Sequence, residues 1–538
     1  MDRSIKILLG IIGGTIGTII ILFYQLGLEQ TPSKPPILRI QTPRIQSPPS
    51  KISSEPIPPK TLFNPYKGTF ETKEGAFLEV EFLNASFLHN QTRNYYGDSA
   101  PSQLTILWKH QLGHGTTKVG AELKTWKGAG WTGQPLLVSI NGEKYLIQGA
   151  YDHHLKKIDA QTGALVWQYQ YDDAIKGTGT LWLNKKADSL KHFCVILQGS
   201  RAGKSIYSTT VPSYRAISLF TGEELWRLNS MKTDSYSRDV DASALLLNDT
   251  AYIGLENGIF AILDPDPKQA TLRNGLLQPK VHKDTDTLYL KSDKIEHGGN
   301  LVTEASPTLL RNRIYIASGS GHIWGYNLDT DSIDWDLFVG ADIDGTPVVT
   351  QDSCLLITVE KQHIKGHGGV LKLNPQKRPE EAVEWFFPTG NKPFSTWDGG
   401  VIGSAGVNCA SKQRDAPNFA VFTAIDGFMY VVNTDKIDKE APKATFDSLH
   451  FFSQPQLLFK YKTGPSISTP IVVQDKIVAA TYKGIHLFSF DNKMNFKLLE
   501  MVKIRCESTP VVDAGKIYLA SRNGYLYCFG GQDSTLVH

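Results

Sequence analysis

The chain has 538 residues, and its 56 Lys and Arg nearly balance its 53 Asp and Glu, which leaves a net charge of only +3 at pH 7. This balance excludes the broad basic field by which proteins attract nucleic acid, so no nucleic-acid partner is expected. The 24 Phe, 21 Tyr and 10 Trp, together with 47 Gly and 28 Pro, predict an all-β protein of short strands and frequent turns.

The N-terminal region predicts a membrane anchor. Residues 7–28 are uncharged, apolar and long enough to cross a hydrocarbon core of about 30 Å. Arg3 and Lys6 precede this run and Glu29 follows it, so the positive-inside rule places residues 1–6 in the cytoplasm and exports the rest to the periplasm or the cell exterior. A cleaved signal peptide is the alternative, but the run is long for one and no small-residue cleavage site follows it.

Two segments separate the anchor from the rest of the chain. Residues 29–60 are rich in Pro and Ser and predict an extended, semi-rigid linker. Residues 61–103 include the alternating stretch FLEVEFLNASF, which predicts a small lead-in segment that contains strands.

Residues 104–531 consist of repeats of one pattern. The clearest copy, ESTPVVDAGKIYLASRNGYLYCFGG, has a strand after Thr-Pro, a second strand, a two-residue turn and a third strand. Related copies begin near residues 133, 180, 241, 304, 344, 398, 466 and 507. Several end in a fourth element that carries Thr and Trp five residues apart, at Trp167, Trp226 and Trp335. Four strands per repeat of about 40–60 residues predict a β-propeller in which each Trp packs flat on the neighbouring repeat.

The two ends of the repeat region predict how the ring closes. The last copy stops after its third strand at Phe529, while LTILWKHQL, which contains Trp108, precedes the first copy without a place in it. This segment fits as the missing outer strand of the last blade, which would remove an open sheet edge. The sequence therefore predicts an eight-bladed propeller of four-stranded blades, with seven blades as the fallback and residues 532–538 as a C-terminal tail.

The pattern S/T-P-V-V, I-Y, N/D-G-x-L-Y and T-G-x-x-x-W resembles the pyrroloquinoline quinone (PQQ) repeat of eight-bladed propellers. That group includes quinoprotein dehydrogenases and the non-catalytic, BamB-like lipoproteins of the outer-membrane barrel-assembly machinery. The dehydrogenases carry a disulfide between adjacent cysteines, a calcium site and an aspartate base. The sequence has no adjacent Cys pair among its five cysteines, and no aspartate or calcium ligand can be matched residue by residue. These missing features, together with the predicted membrane span, favour a non-catalytic, membrane-anchored member; no cofactor is predicted, and PQQ and Ca²⁺ remain alternatives.

The start of each first strand predicts a binding surface at the mouth of the channel. The residue two before the Ser or Thr of the S/T-P pair is acidic in five copies, as Asp241, Glu304, Asp344, Asp398 and Glu507. Converging carboxylates would raise one another's pKa or bind a cation such as calcium. The structural alternative is that each acid accepts backbone N–H bonds at its strand start. Neighbouring segments place further candidates on the same face, namely Trp126, Trp131, Arg238, His297, Asp342, Trp397 and Arg505.

The pair His153 and His154 resembles the start of a metal site but fits the repeat better. Asp152 and His153 align with Asn523 and Gly524 of the C-terminal copy, at the turn between the second and third strands. Such a turn needs positive φ angles, and an isolated turn histidine is a poor zinc ligand. Neither a metal ligand set nor a catalytic residue is predicted. Cys506 and Cys528 could form a disulfide if their strands are neighbours in an oxidising compartment.

Together these features predict a single-pass membrane protein whose exported propeller binds or scaffolds another protein of the cell envelope. A binding module is favoured over an enzyme. A PQQ-dependent oxidoreductase and a glycan-binding propeller that uses Trp131 or Trp397 are the alternatives, and the oligomeric state is left open.

Overall fold

Eight four-stranded antiparallel sheets surround a central channel in the computed structural model, which describes residues 66–203, 207–409 and 416–531. From the channel outward, blades 1 to 4 contain the strands Leu136–Ile140, Glu143–Gly149, His154–Asp159 and Leu165–Gln170; Thr180–Leu183, Cys194–Gly199, Tyr214–Ser218 and Glu224–Leu228; Leu245–Leu247, Thr250–Gly254, Ile259–Leu263 and Val281–Thr287; Thr308–Leu310, Arg313–Ala317, His322–Asn327 and Ser332–Phe338. Blades 5 to 8 contain Val348–Val349, Leu355–Val359, Gly369–Leu373 and Val383–Pro388; Gly406–Val407, Phe419–Thr423, Phe428–Asp438 and Gln454–Lys462; Ile471–Val473, Lys476–Ala480, Ile485–Phe490 and Phe496–Val502; Val511–Asp513, Lys516–Ala520, Tyr525–Gly530 and Thr105–Gln111. The all-β prediction and the count of eight blades are confirmed.

The remaining described elements are short. They are a hairpin of Lys67–Glu71 and Phe77–Asn84 that extends the sheet of blade 1, the hairpins His114–Val119 with Glu122–Lys127 and Thr271–Arg273 with Leu276–Gln278, the α-helices Leu190–Phe193 and Asp293–His297, and the 3-10 turns Pro267–Gln269 and Pro379–Glu381. None of the helices within the described ranges is long and apolar enough to cross a membrane. The apolar run 7–28, the linker 29–60 and the tail 532–538 lie outside those ranges.

The ring is closed by strands from both ends of the described chain, as the sequence predicts. Thr105–Gln111 pairs antiparallel with Tyr525–Gly530, and Trp108 lies opposite Cys528. All five cysteines are unpaired, so the disulfide that the sequence left open between Cys506 and Cys528 is not formed.

The tryptophans of the outer strands join each blade to the next. The indole N–H donates to a backbone carbonyl of the following blade in five cases, Trp108 to Ala160, Trp167 to Leu219, Trp226 to Pro265, Trp335 to Lys377 and Trp385 to Thr434, over 3.1–3.2 Å. The Gly of the T-G pair packs against the indole of the preceding blade. A Cβ on Gly163 would lie 2.7 Å from the Trp108 indole. The T-G-x-x-x-W pattern therefore encodes both partners of one contact between blades. The sequence pattern did not identify Trp385 because no T-G pair precedes it.

The side chains at the S/T-P position of the repeat, seven of which carry a hydroxyl, form a second set of contacts between blades. The residues at this position, here called the hydroxyl ring, are Gln134, Thr178, Ser243, Ser306, Thr346, Ser404, Thr469 and Thr509. Six of their backbone N–H groups donate to the side chain of the equivalent residue one blade on, from Gln134 to Thr178, Ser243 to Ser306, Ser306 to Thr346, Thr346 to Ser404, Ser404 to Thr469 and Thr469 to Thr509, over 2.8–3.2 Å. All eight residues are buried, so each bond satisfies a backbone group that water cannot reach.

The lead-in region fills the channel on one side of the hydroxyl ring. Residues 77–99, here called the channel segment, first pair with the inner strand of blade 1 and then meet the inner strands of other blades in turn. In seven blades the contact is made by the residue three positions after the hydroxyl ring, namely Leu137, Leu181, Leu246, Leu309, Val349, Val407 and Val512. At about 3.3 Å per residue, this layer lies about 10 Å below the ring. The sequence predicted strands here but not their position inside the propeller.

Arg93 holds the middle of the channel segment. Its side chain is fully buried, and its guanidinium donates to the Pro307 carbonyl, the Phe87 carbonyl and the Ser86 hydroxyl at 2.7–3.2 Å. Burial lowers the pKa of Arg93 to about 10, which still leaves the group charged at neutral pH. Five donors in a planar fork allow this one side chain to tie the segment both to itself and to blade 4.

Candidate functional site

The open end of the channel is lined by two rings of residues, which together are called the mouth. The first ring precedes the hydroxyl ring by two residues and consists of Thr132, Lys176, Asp241, Glu304, Asp344, Ile402, Ile467 and Glu507. The second ring precedes the turn between the second and third strands and consists of Tyr151, Arg201, Glu256, Gly319, Glu360, Ile425, Tyr482 and Arg522. The fold brings both rings to one face because strand starts and these turns lie at the same end of each blade.

Blade 3 and its neighbours hold one partly buried lysine among several carboxylates. The Lys176 ammonium contacts the Asp241 carboxylate directly and lies 3.3 Å from Glu304 Oε1 and 3.7 Å from Glu256 Oε1. Burial alone would lower the pKa of Lys176, but these carboxylates hold it well above its ordinary value. Burial raises the pKa of Asp241 to about 6, although the lysine opposes this shift. Lys176 is therefore a structural cation that partly neutralises this cluster.

Blade 5 carries a second group of carboxyls. One oxygen each of Asp342, Asp344 and Glu360 lies within 4.8 Å of the others. Burial, followed by the negative charges of its neighbours, raises the pKa of Glu360 to about 9, and burial with the charge of Glu304 raises that of Asp342 to about 7. The pKa of Asp344 is also raised well above its usual range, again chiefly by burial. The cluster therefore retains protons at neutral pH, and its oxygens are of the type and spacing that a hard cation such as Ca²⁺ accepts.

The acids differ in their access to solvent. The Asp241 side chain is fully buried, whereas that of Glu304 is 18% exposed. Asp344 is half-buried and Asp398 is exposed. A partner approaching the mouth therefore meets Glu304, Asp344 and Asp398. These three residues are called the acidic side.

Blades 6 and 7 give the mouth an apolar side. Ile402 and Ile467 replace acids in the first ring and pack with Trp131 and Ile425 in one buried cluster. Three partly exposed rings, Phe394, Trp397 and Tyr482, lie against this cluster and are called the aromatic ledge. The Phe394 and Tyr482 ring centroids are 4.8 Å apart, and those of Trp397 and Tyr482 are 6.5 Å apart.

Blade 8 contributes a charge that is already paired. Glu507 lies 3.4 Å from the Arg522 guanidinium and 4.0 Å from that of Arg505. Burial raises the pKa of Glu507, while both arginines and a hydrogen bond with Tyr482 oppose the shift. The Arg505 guanidinium also stacks 5.0 Å from the Tyr482 ring centre. This acid is therefore neutralised within the mouth and belongs to the border of the aromatic ledge.

Three residues singled out from the sequence lie elsewhere than expected. Ser404, not a residue near 400, occupies the hydroxyl ring in blade 6, so the first-ring position is Ile402 and the assignment of Asp398 to that ring is wrong. Trp131 is buried in the apolar cluster and offers little surface to a glycan. Arg238 is buried and donates to the carbonyls of Ser230 and Ser208, which holds a loop of blade 2.

The other candidates on this face have structural partners. The Arg201 guanidinium stacks 5.2 Å from the Trp126 ring and pairs with Asp239 at 2.9 Å. His297 is buried, and its ring centre lies 4.4 Å from that of His363. The repeated backbone hydrogen bond that the acids were considered to accept is made by the hydroxyl ring instead.

Sequence reasoning missed five charged members of the mouth, namely Lys176, Glu256, Glu360, Arg201 and Arg522. Lys176 stands at the first-ring position of blade 2, but the long insertion in that copy hid its register. Glu256 and Glu360 belong to the second ring. Reading the residue before each N-G turn, or before the equivalent turn, would have identified this ring from the sequence. His153 lies at the expected turn with φ of 69°, and His154 begins the third strand as expected.

The fold and the repeat define this chain as an eight-bladed β-propeller built from PQQ-like repeats. Residues 105–364, slightly less than half of the chain, match the family model described as outer membrane protein assembly factor BamB. No curated protein matches the sequence significantly.

Three solved structures illustrate the similarity. BamB from Moraxella catarrhalis is 14% identical, with a TM-score of 0.46, over 80% of this chain and 100% of that chain. A europium-containing methanol dehydrogenase is 14% identical, with a TM-score of 0.48, over 83% and 98%. Quinohemoprotein alcohol dehydrogenase from Comamonas testosteroni is 12% identical, with a TM-score of 0.49, over 84% and 80%. Similarity at this level assigns no function.

Proposed function

We propose that this protein is a membrane-anchored, exported propeller that binds another protein of the cell envelope through its mouth and acts as a scaffold rather than an enzyme. The observation that carries the proposal is a mouth with an acidic side and an aromatic ledge above a channel filled by the protein's own chain. The match of residues 105–364 to a family named for an outer-membrane assembly factor supports a role in the envelope. The anchor at residues 7–28 is part of the proposal and rests on the sequence alone.

The filled channel favours a macromolecular partner. Small-molecule sites are usually enclosed clefts that bury most of their ligand. Here the channel segment closes the channel about 10 Å below the hydroxyl ring. What faces outward is an open rim of carboxylates and rings. Aromatic residues and charges that can pair across a contact are typical of protein interfaces.

Site-specific photocrosslinking in cells tests this function. A photoreactive amino acid replaces Asp398, which is exposed on the acidic side, and in a control variant it replaces Leu165, which is exposed on the outer strand of blade 1. We expect a discrete adduct with an envelope protein at Asp398 and none at Leu165. Adducts that are equal at the two positions, or absent from both, would overturn the proposal.

The oxidoreductase alternative makes a different prediction and has one observation in its favour. The oxygens of Asp342, Asp344 and Glu360 could hold the calcium ion that PQQ chemistry uses. Full-length protein is mixed with PQQ and Ca²⁺, and binding is followed by absorbance and by dye-linked alcohol oxidation. The scaffold proposal expects neither. Stoichiometric PQQ binding with alcohol oxidation would establish the enzyme instead.

A further inference from the structure

We infer that the mouth recognises a short peptide segment in which a Lys or Arg side chain stands next to an apolar residue. The inference rests on the proposed function and names the chemistry of the partner. It follows from the placement of two unlike surfaces side by side, the acidic side and the aromatic ledge.

The acidic side has more carboxyls than cations. Lys176 is shared among Asp241, Glu256 and Glu304. The carboxyl cluster on blade 5 is outside these contacts of Lys176. The negative charges of neighbouring carboxylates, including Glu304, help to raise the pKa of each of its members. A cation that reaches Glu304 and Asp344 would form charge-assisted hydrogen bonds with their carboxylates.

The positions of the acids decide where that cation enters. Glu304 and Asp344 occupy the same first-ring position in adjacent blades and are the two partly exposed acids of that ring in blades 3 to 5. Asp398 is exposed and adds its charge to the field at Glu360. A Lys or Arg side chain entering from solvent can therefore reach carboxylates without breaking the buried contacts of Lys176.

The aromatic ledge begins where the acidic side ends. Trp397 directly precedes Asp398 in the chain, and Phe394 pairs with Trp397 in an antiparallel bridge. The rings rest on the buried cluster of Ile402, Ile425 and Ile467, which holds them in place. A ligand that covers both surfaces must carry its cation and its apolar group close together. Successive side chains of an extended strand point to opposite faces, so two adjacent residues meet this requirement where the peptide backbone bends.

The same arrangement excludes other segments. An acidic peptide would bring further negative charge to carboxyls that already raise one another's pKa. A purely apolar peptide would remove solvent from Glu304 and Asp344 without giving them a new polar partner, which is costly. On blade 8, Arg522 and Arg505 lie 3.4 and 4.0 Å from Glu507, so part of their charge is already balanced within the mouth. The mouth therefore selects by attraction and by repulsion.

Defined peptides test the inference on the full-length chain. Fluorescein-labelled octapeptides carry a central Lys-Phe, Glu-Phe or Lys-Ser pair in an otherwise identical Gly-Ser background, and binding is followed by fluorescence anisotropy. We expect the Lys-Phe peptide to bind and the other two to bind at least tenfold more weakly. Glu304→Gln should weaken Lys-Phe binding at least tenfold, whereas Glu143→Gln, which removes an exposed acid at the opposite end of blade 1, should not. Trp397→Ser should reduce the preference for Phe over Ser, and Leu165→Ser should leave it unchanged.

Several results would overturn the inference. These are equal binding of the Lys-Phe and Glu-Phe peptides, equal binding to wild type and Glu304→Gln when both unfold at the same temperature, and absence of Lys-Phe binding. A fourth result concerns calcium. If calcium chloride raises the unfolding temperature of wild type but not of Asp344→Asn, and also prevents peptide binding, the acidic side is a metal site. Crosslinking at Asp398 without peptide binding would refute the inference and leave the scaffold in place. Equal or absent crosslinking at Asp398 and Leu165 would refute the scaffold itself.

Discussion

Replacing Gly163 by alanine should weaken the contact that closes the ring. Gly163 has a φ of +75°, and a Cβ added there would lie 2.7 Å from the Trp108 ring. Trp108 stands on the strand that joins the N-terminal part of the propeller to its last blade, and its indole N–H donates to the Ala160 carbonyl at 3.2 Å. The substitution therefore acts on backbone strain and on the closing contact together.

A matched glycine separates the two effects. Gly275 has a φ of +74° but nothing within 4 Å of its added Cβ. Alanine in the left-handed region costs about 1–2 kcal/mol, and this cost should be the same at both positions. At Gly163 the ring must also withdraw by about 1 Å to reach the usual contact of about 3.5–4.0 Å. Overpacking and a weakened hydrogen bond add about 1–3 kcal/mol.

Urea unfolding of the full-length chain, followed by circular dichroism, measures the difference. We expect Gly163→Ala to lower the free energy of unfolding by about 1–3 kcal/mol more than Gly275→Ala does. In a Trp108→Ala background the Gly163 penalty should fall to that of Gly275, since the clashing ring is gone. Equal penalties at the two glycines in the wild-type background would show that the ring does not rest on Gly163 as described.

Three further predictions concern buried charges. Arg93→Ala should lower the free energy of unfolding by about 3–5 kcal/mol, because it leaves the Pro307 and Phe87 carbonyls without donors; a loss below about 1 kcal/mol in urea unfolding would contradict this. Lys176→Met should cost about 3–5 kcal/mol by leaving buried carboxylates unpaired, and Lys176→Arg should cost less in the same assay. The pKa of Glu360 is raised to about 9, so the folded protein keeps a proton that the unfolded chain releases. Stability should therefore fall as the pH rises from 5 to 9, by up to about 1.4 kcal/mol per pH unit, and Glu360→Gln should flatten this slope. Parallel pH profiles of wild type and variant would refute the shift.

The repeat made the fold predictable from sequence. Ser or Thr, Trp and the T-G glycine make the same contacts in blade after blade, so each copy reports the role of the others. The register failed where a copy departs from the pattern. Ser404 is followed by Ala rather than Pro, which led to Asp398 in place of Ile402. The insertion in blade 2 concealed Lys176 for the same reason.

The mouth and the channel segment were less predictable because their contacts are not repeated. The alternation in FLEVEF indicates strands but contains no information on which strand they pair with. The exposure of Trp131 and Trp397 also could not be read from their spacing, since only packing against Ile402 and Ile467 buries the first and leaves the second partly open.

The position of the channel segment constrains the order in which this protein can assemble. Asp98 accepts a hydrogen bond from the backbone N–H of Ala514, a residue 416 positions later, and Tyr96 reaches blade 6. Because the channel segment lies inside the finished ring, it must be in place before the last blade pairs with Thr105–Gln111. Folding of the propeller is therefore completed by its last blade, and contacts this distant in sequence make the process slow. During synthesis, the sheet of blade 8 lacks its three inner strands until the final 30 or so residues arrive, so a chaperone would have its longest opportunity to act on this protein immediately before closure.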